Sequence, residues 1–411
     1  MAKKVSKKTT KKTARKPAGA AGGAARGRAA SPADDRPDAA LPPPPRVAFT
    51  DIIAQDRALA ILKNAIASER LHHAWIFHGP KGVGKFTAAL AFAAALLDPT
   101  TAPNLSGELA PDPDSPVQRL IAAGTHPDLH IITKELARYS EDRSVRERKL
   151  LTIPKDVIDT HLLRPSVLAA GVRNHGLAGK VFIIDEAELL DRSITNAPTQ
   201  NAILKTLEEP PPGTVIILVT SQEDRLLPTI RSRCQRVAFA RLDDDAMKEW
   251  MRTAGVSLPP KHARWLLDFA DGSPGALLEA VSGDLASWHE RLAPLLDTAD
   301  AGRYSLDLGP TMSGLVDAWA SAQAEASKNA SKEAANHEGA RLLFRLLAAR
   351  YRTQMRTGNP AAAERAAAAI DALGVAESEL RSNVRLVDVC EDLSIRLSEA
   401  ASASHAAATR A

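Results

Sequence analysis

The sequence predicts an α/β domain with a parallel sheet, followed by a small helical domain and an all-helical C-terminal domain. Uninterrupted apolar runs occur at residues 74–77, 129–132, 181–184 and 215–219, separated by longer segments. Continuous apolar runs between helices are typical of parallel strands that are covered on both faces. A glycine-rich loop follows the first run, and acidic residues follow the third. Beyond about residue 285 the chain is rich in alanine, which is a strong helix former.

Length and composition limit the class of protein. The 411 residues suffice for two or three domains, and 45% apolar residues suffice for packed cores. No uninterrupted apolar stretch is long enough for a membrane span, and the basic N-terminus is not followed by the apolar core of a secretory signal. Cys234 and Cys390 form neither a disulfide framework nor a Cys-x-x-Cys zinc site. We therefore expect a cytoplasmic protein that binds no zinc and contacts no membrane.

The first 46 residues differ in composition from the rest. Residues 1–28 hold ten Lys and Arg and no acidic residue, and residues 29–46 form a Pro-rich linker. The whole chain carries +4 and residues 1–28 contribute +10, so residues 29–411 carry −6. Such a segment cannot bury enough apolar surface to order itself, so we expect residues 1–46 to be disordered. Its charge suits phosphate contacts with nucleic acid; alternatively it is a solubilising extension.

The loop after the first apolar run has the pattern of a phosphate-binding loop. Its sequence nearly matches GxxxxGK[ST] and runs Gly79-Pro80-Lys81-Gly82-Val83-Gly84-Lys85-Phe86-Thr87. The three glycines allow the backbone to wrap phosphates, and Lys85 would reach the terminal ones. Phe86 stands where a Ser or Thr hydroxyl would bind Mg²⁺, and Thr87 comes one position late. The loop predicts ATP as the ligand of a weak or vestigial site, weakened Mg²⁺ binding and little or no hydrolysis.

A second motif supports the same interpretation. The apolar run at residues 181–184 leads directly into Asp185 and Glu186. In phosphate-loop enzymes the first carboxylate after such a strand holds Mg²⁺, and the next one orients the attacking water. Asp185 and Glu186 fit those two roles. The alternative is a strand end that is capped by solvated acids.

Four segments, taken together, resemble clamp-loader subunits of bacterial DNA polymerase III, and most of all those of the delta-prime type. The segments are Ile52–Thr87 with Gln55 and His72-His73-Ala74, Asn201–Pro211 (NAILKTLEEPP), Thr229–Cys234 (TIRSRC) and Gly272–Ala276 (GSPGA). The resemblance covers roughly residues 48–282. It implies an AAA+ core at 47–240, a helical lid at 241–284 and a helical collar for oligomerisation at 285–400. We expect residues 401–411 to be a disordered tail.

The resemblance also implies partners and roles. Clamp loaders are rings that open a sliding clamp and set it on primed DNA, with ATP bound at subunit junctions. By position, Arg233 would be an arginine finger that acts in trans on the γ-phosphate held by a neighbour. Gln55 would belong to the nucleotide-binding set. Expected partners are the gamma/tau and delta subunits, the sliding clamp and primer-template DNA.

Departures from the ATP-hydrolysing gamma/tau pattern favour one type of subunit over the other. The resemblance implies that a gamma/tau subunit would have GK[ST], four zinc-binding cysteines between the phosphate loop and the acidic strand, and a lid Arg after the GS. This chain has Phe86, no cysteine in that interval and Gly275-Ala276 in place of the lid Arg. All three favour delta-prime, whereas the intact Asp185-Glu186 pair favours an active gamma/tau-type ATPase. A different AAA+ DNA-processing ATPase is the third alternative.

Overall fold

The computed structural model describes residues 47–68, 70–103, 109–146, 152–190, 197–326, 332–356, 359–382 and 384–408. The predicted basic tail and Pro-rich linker, residues 1–46, lie outside the described residues. No helix within the described residues is long and apolar enough to cross a membrane.

A five-stranded parallel sheet organises the first domain. The strands of the chain are β1 (Ala74–His78), β2 (Ala102–Pro103), β3 (Leu109–Ala110), β4 (Leu129–Ile132), β5 (Lys180–Ile184), β6 (Thr214–Thr220) and β7 (Gln235–Ala238). The order across the sheet is β4-β5-β6-β1-β7, and every pair in it is parallel. The antiparallel pair β2-β3 lies apart from this sheet.

Helices cover both faces of the sheet. They are α1 (Asp56–Ala67), α2 (Lys85–Leu97), α3 (Pro116–Ala122), α4 (Arg143–Arg146), α5 (Lys155–Ile158), α6 (Arg164–Ser166), α7 (Pro198–Glu208) and α8 (Pro228–Arg231), and a π-helical segment, Asp159–Leu163, joins α5 to α6. Because side chains alternate along a strand, Trp75 and Phe77 enter one core with α1 and α2. Ala74 and Ile76 enter the opposite core with α5 and α7.

The four strands that were predicted from apolar runs are confirmed, within one residue at each end. The sequence missed β7, because only Val237 of its four residues is buried and an edge strand of this kind has no apolar run. Residues 98–118 contain no apolar run either, yet β2, β3 and the start of α3 lie there. Ser115 caps α3 by accepting a hydrogen bond from the Gln118 amide.

The lid and the collar are helical, as predicted. The lid contains α9 (Asp244–Ala254), α10 (Ala263–Ala270) and α11 (Pro274–Ser282), and the collar contains α12 (Leu285–Asp300), α13 (Leu308–Ala326), α14 (Lys332–Met355), α15 (Pro360–Arg381) and α16 (Leu386–Ala408). One apolar core runs from Leu242 through Trp288 to Leu397 without a break between the two. The prediction of a disordered tail from residue 401 is wrong as far as Ala408, because α16 continues to that residue. Residues 409–411 lie outside the described residues.

Gln55 joins the beginning of the sheet domain to its end. Its side chain is buried, donates to the Ala240 carbonyl at 2.8 Å and accepts from the Ala240 amide at 3.0 Å. A weaker contact at 3.5 Å reaches the carbonyl of Val83 in the phosphate loop. The same amide group therefore fixes the chain where β7 leads into the lid, close behind the loop.

Candidate functional site

The phosphate loop connects β1 to α2 and has the backbone geometry that its glycines predict. Gly79, Gly82 and Gly84 have φ values of 141°, 78° and 94°, which L side chains rarely adopt. The first amide of α2 that bonds back along the helix is that of Ala88, to the Gly84 carbonyl at 2.9 Å. The preceding amides at the start of the helix are the groups that bind anions in phosphate loops.

Lys85 is buried at the start of α2 and is held by its own loop. Its Nζ donates to the carbonyls of Gly79 at 2.8 Å and Pro80 at 2.5 Å. Burial lowers the pKa of Lys85 to about 8, against the opposing charges of Glu188 and Asp185. An ammonium group with this pKa remains mostly protonated at neutral pH, so the loop keeps a positive charge at its base.

A cavity of about 420 Å³ lies over the loop. Its walls come from the segment before α1, the loop, the ends of β5 and β6, and the lid. The lining residues include Asp51, Ile52, Ile53, Gly82, Gly84, Lys85, Phe86, Thr87, Asp185, Glu186, Glu188, Ser221, Trp250, Pro274, Gly275 and Leu278. The structure thus brings together most of the residues that the sequence singled out. Gln55 lies behind the cavity, with the backbone contacts described above.

The two predicted carboxylates have different electrostatic environments. Burial raises the pKa of Asp185 to about 6, although its carboxylate accepts the Glu186 amide at 2.9 Å. Burial also raises the pKa of Glu186, but the hydrogen bond and charge of Lys134, and then of Lys81, lower it further and hold it below its ordinary value. The ion-pair distances are 2.9 Å to Lys134 and 3.3 Å to Lys81. Glu186 is therefore a fixed anion between two lysines.

Several residues of the site were not recognised from the sequence. Lys134 lies just after β4 and belongs to none of the motifs recognised in the sequence. Glu188 accepts hydrogen bonds from the hydroxyl of Ser221 at 2.5 Å and from its amide at 3.2 Å. Ser221 follows β6, and its position at the end of a central parallel strand was the signal that could have identified it, since ligands bind at that edge of an α/β sheet.

The donor set of the cavity fits a phosphate-bearing ligand better than it fits Mg²⁺. Helix amides and Lys85 face the loop, whereas Phe86 offers no oxygen at the position next to the lysine. Thr87 lines the cavity from the following position of α2. Asp185 remains as the oxygen ligand at the strand end, and its raised pKa of about 6 means that it loses its charge, and with it its affinity for cations, as the pH falls below neutrality.

The lid rests directly on the loop through its Gly272–Ala276 segment. The Gly275 amide donates to the Gly82 carbonyl at 2.9 Å, and the Ser273 hydroxyl donates to the Lys81 carbonyl at 2.8 Å. A Cβ atom on Gly275 would lie 2.7 Å from the Gly82 Cα atom. Only glycine at this position allows so close an approach of the two backbones, so the lid closes one side of the cavity.

Arg233 lies away from this cavity, in the turn between α8 and β7. Its guanidinium donates to the Thr229 carbonyl at 2.9 Å and forms an ion pair with Glu208 of α7 at 2.7 Å. The side chain is 36% exposed, and Glu208 is 48% exposed. Arg233 is not among the described residues that line the cavity. The ion pair joins the LEEPP segment to the TIRSRC segment.

The sheet order, the phosphate loop after β1 and the acidic end of β5 define an AAA+ module with a helical lid. Residues 54–243 match a family model described as "DNA polymerase III, delta subunit". The chain is thus similar to clamp-loader subunits of DNA polymerase III, and the resemblance that its motifs indicated is confirmed.

Curated relatives carry two kinds of name. The DNA polymerase III subunit delta' of Bacillus subtilis is 32% identical over 243 residues, which cover 59% of this chain and 64% of that protein. The delta' subunit of Pseudomonas aeruginosa is 33% identical over 49% of this chain and 53% of its own. The tau subunit of Salmonella typhimurium is 29% identical over 79% of this chain and 46% of its own. The chain thus spans less than two thirds of the length of each of these relatives.

A solved structure of a Thermotoga maritima RuvB mutant aligns with 64% of this chain at a TM-score of 0.35 and 16% identity, a likeness too weak to carry an argument.

The contact between lid and loop yields a stability prediction. We expect Gly275→Ala to destabilise the chain by about 1–3 kcal/mol, because the new methyl group must displace the backbone of Gly82. Urea unfolding measures the change. Gly374→Ala is the matched control, since a Cβ there meets nothing within 4 Å, and it should be neutral or stabilising within α15. Equal stability of the two variants would contradict a tight lid contact.

The pKa of Asp185 yields a prediction about pH. Folding raises this pKa from 3.8 to about 6, so the folded chain holds the proton more tightly than the unfolded chain does. The contribution of Asp185 to stability is therefore lost as pH rises through about 6. We expect Asp185→Asn to raise the thermal midpoint relative to the wild type by an amount that grows between about pH 4 and pH 7. With the exposed Asp371→Asn as control, a pH-independent difference at Asp185 would refute the assignment.

Proposed function

We propose that this chain is a delta-prime-type clamp-loader subunit that supplies Arg233 in trans to a neighbouring ATPase subunit. The observation that carries the proposal is the position of Arg233. It lies at the surface, outside the cavity of its own chain, with one exposed carboxylate as its charged partner. A guanidinium placed this way has no phosphates of its own to act on and suits phosphates that another subunit presents.

The environment of Arg233 supports that role. The Thr229 carbonyl and Glu208 orient the guanidinium without burying it. An exposed ion pair of this kind contributes at most about 1 kcal/mol. A polyphosphate carries more charge than a single carboxylate and would compete successfully for the guanidinium at a subunit junction.

The chain's own site is proposed to bind nucleotide weakly and to hydrolyse it slowly or not at all. Phe86 supplies no ligand for Mg²⁺, and the lysines at positions 81 and 134 hold Glu186, the residue that would orient water. Lys85 is already bonded to two carbonyls of the loop. A nucleotide must displace these internal contacts before it gains its own.

The partners follow from the family. The named relatives are subunits of DNA polymerase III, so we propose a tau/gamma-type subunit and a delta subunit as neighbours in a ring. The sliding clamp and primer-template DNA would be the objects on which the ring acts. In this arrangement the collar provides the contacts between subunits, and the chain works in the cytoplasm with the replication machinery.

An ATP-hydrolysing gamma/tau-type subunit is the second candidate. Two observations favour it: Asp185 and Glu186 are both present at the end of β5, and the Thr87 side chain lines the cavity. The tau relative also aligns over more of this chain than the delta' relatives do. Under this alternative the purified chain hydrolyses ATP alone, and Lys85→Ala abolishes that activity.

The decisive experiment measures ATP turnover by the purified chain, by the cognate tau-type subunit and by their mixture. We expect no turnover by the chain alone and an increase on mixing. Arg233→Ala should abolish that increase, since an arginine finger accelerates its site by roughly a thousandfold or more. Arg225→Ala is the matched control, as Arg225 is an exposed arginine nearby, and it should leave the increase intact.

The same assay tests the ion pair with Glu208. Glu208→Gln preserves size and removes the charge, so we expect a smaller loss of the mixing increase than with Arg233→Ala. The double variant should be no worse than Arg233→Ala alone, because Glu208 acts through the guanidinium. Additive losses, or an increase on mixing that survives Arg233→Ala, would rule out the trans role for this arginine.

A further inference from the structure

A row of arginines follows one face of α14, where the collar meets the lid. The arginine stripe, as we call it, consists of Arg341, Arg345, Arg352 and, just after the last residue of the helix, Arg356. At about 100° per residue these four positions fall within about 60° of the helix circumference. They extend over about 22 Å along the axis at 1.5 Å per residue.

The lid supplies most of the negative charge around the stripe. Glu279 of α11 pairs with Arg345 and lies 3.7 Å from Arg341, which also pairs with Glu338 one turn earlier in α14. Asp271, at the end of α10, lies 3.4 Å from Arg356.

A fifth arginine shares one of these acids. Arg241, at the start of the lid, pairs with Asp271 and donates to the Asp271 carbonyl at 3.3 Å. Five arginines thus meet three carboxylates at the junction, although the chain beyond its first 28 residues is acidic in total.

Arg352 is the arginine of the stripe that none of these three carboxylates pairs with. It is exposed, and it has no ion pair or side-chain hydrogen bond within the residues that the structure describes. Partial burial of the head group, and then the charges of Arg241, Arg356 and Arg345, lower its pKa. Because the charges around this guanidinium are also positive, an approaching anion lowers its electrostatic free energy. The junction therefore favours the binding of an anion.

We propose that the arginine stripe is a binding surface for the sugar-phosphate backbone of nucleic acid, separate from the phosphate-loop cavity. A row of about 22 Å is far longer than one phosphate group, so it suits a linear polyanion. The choice of nucleic acid over an acidic protein rests on the proposed clamp-loader function, which brings DNA to this chain.

The surface is suited to backbone contacts and offers little for reading bases. The nearby aromatic rings are already engaged with each other: Trp265 stacks on Phe269 and on His289, with centroids 5.6 Å and 4.5 Å apart. Arg345 covers the Phe269 ring, with its Cζ atom 5.6 Å from the centroid. Exposed aromatic platforms normally provide base stacking, so binding here would be independent of sequence and sensitive to salt.

The test measures DNA binding by the full chain over a series of salt concentrations. Fluorescence anisotropy follows a labelled 20-nucleotide oligothymidylate and a primed duplex, with wild type, Arg352→Gln and Arg352→Glu. We expect the slope of log K against log salt to fall by about one for Arg352→Gln, with a further loss of affinity for Arg352→Glu. Arg264→Gln and Arg264→Glu are matched controls on α10, since the Arg264 side chain is 96% exposed and outside the stripe.

The basic N-terminal tail is present in every variant, and its charge also suits contacts with DNA phosphates. The informative quantity is therefore the difference in salt slope and affinity between the Arg352 variants and the Arg264 variants. The same salt slope and affinity for the Arg352 and Arg264 variants would overturn the proposal. Equal competition by polyglutamate of matched charge would also overturn it, in favour of an acidic protein segment. Co-elution of each variant with the tau-type subunit reports on the clamp-loader role separately, and it should be unaffected by Arg352→Glu even if DNA binding falls.

Discussion

The close approach of Gly82 and Gly275 is the constraint on which the shape of the site depends. Two backbones can meet at this distance only where neither residue carries a Cβ atom. The contact brings the lid over the phosphate loop and turns Trp250 and Leu278 into walls of the cavity. Because lid and collar share one apolar core, the orientation of the collar relative to the loop follows from the same contact. The need for glycine at positions 82 and 275 therefore also affects where the collar lies relative to the phosphate loop.

Charge is arranged differently in the two regions of interest. At the cavity, Lys81 and Lys134 neutralise Glu186, and Lys85 lies near the buried Asp185, so that the site is balanced without any ligand. A bound polyphosphate would compete with the ion pairs of Lys81 and with the carbonyl contacts of Lys85. At the junction of lid and collar there are fewer carboxylates than arginines, so the excess positive charge can be neutralised only by an anion from outside the chain. The two regions thus differ in how strongly each one favours an anion, although both are rich in basic residues.

The sequence revealed the sheet because its strands are buried on both faces. Runs such as 181–184 and 215–219 have no period, and their position between helices identified them. The edge strand β7 could not be found in this way, since Val237 is its only buried residue. The loop glycines and the acids after β5 were recognisable because their chemistry is local in sequence. Lys134 and the pairing of Glu208 with Arg233 were not, because each depends on chain segments that only the fold brings together.

The junction of lid and collar illustrates the same limit. The arginines of α14 occur at helical spacing in the sequence, but such a row is most often a solvated helix face and by itself predicts no site. What distinguishes the stripe is the supply of acids from α10 and α11, and that supply is a matter of packing. The boundary at residue 284 was equally hard to place, since the core continues across it.

The position of β1 in the sheet has a consequence for synthesis of the chain. Its ladder partners are β6 and β7, so that Ala74 pairs with Ile216 and Trp75 also with Gln235. Until β6 has left the ribosome, β1 has no ladder partner, and the largely buried helix α2 has only an incomplete sheet to pack against. Such long-range parallel pairing is slow and leaves apolar surface open to aggregation. The nascent chain therefore passes through a long interval in which its apolar surface is exposed. A protein truncated before residue 235 would lack the edge strand β7, and one truncated before residue 214 would leave β1 without either of its ladder partners.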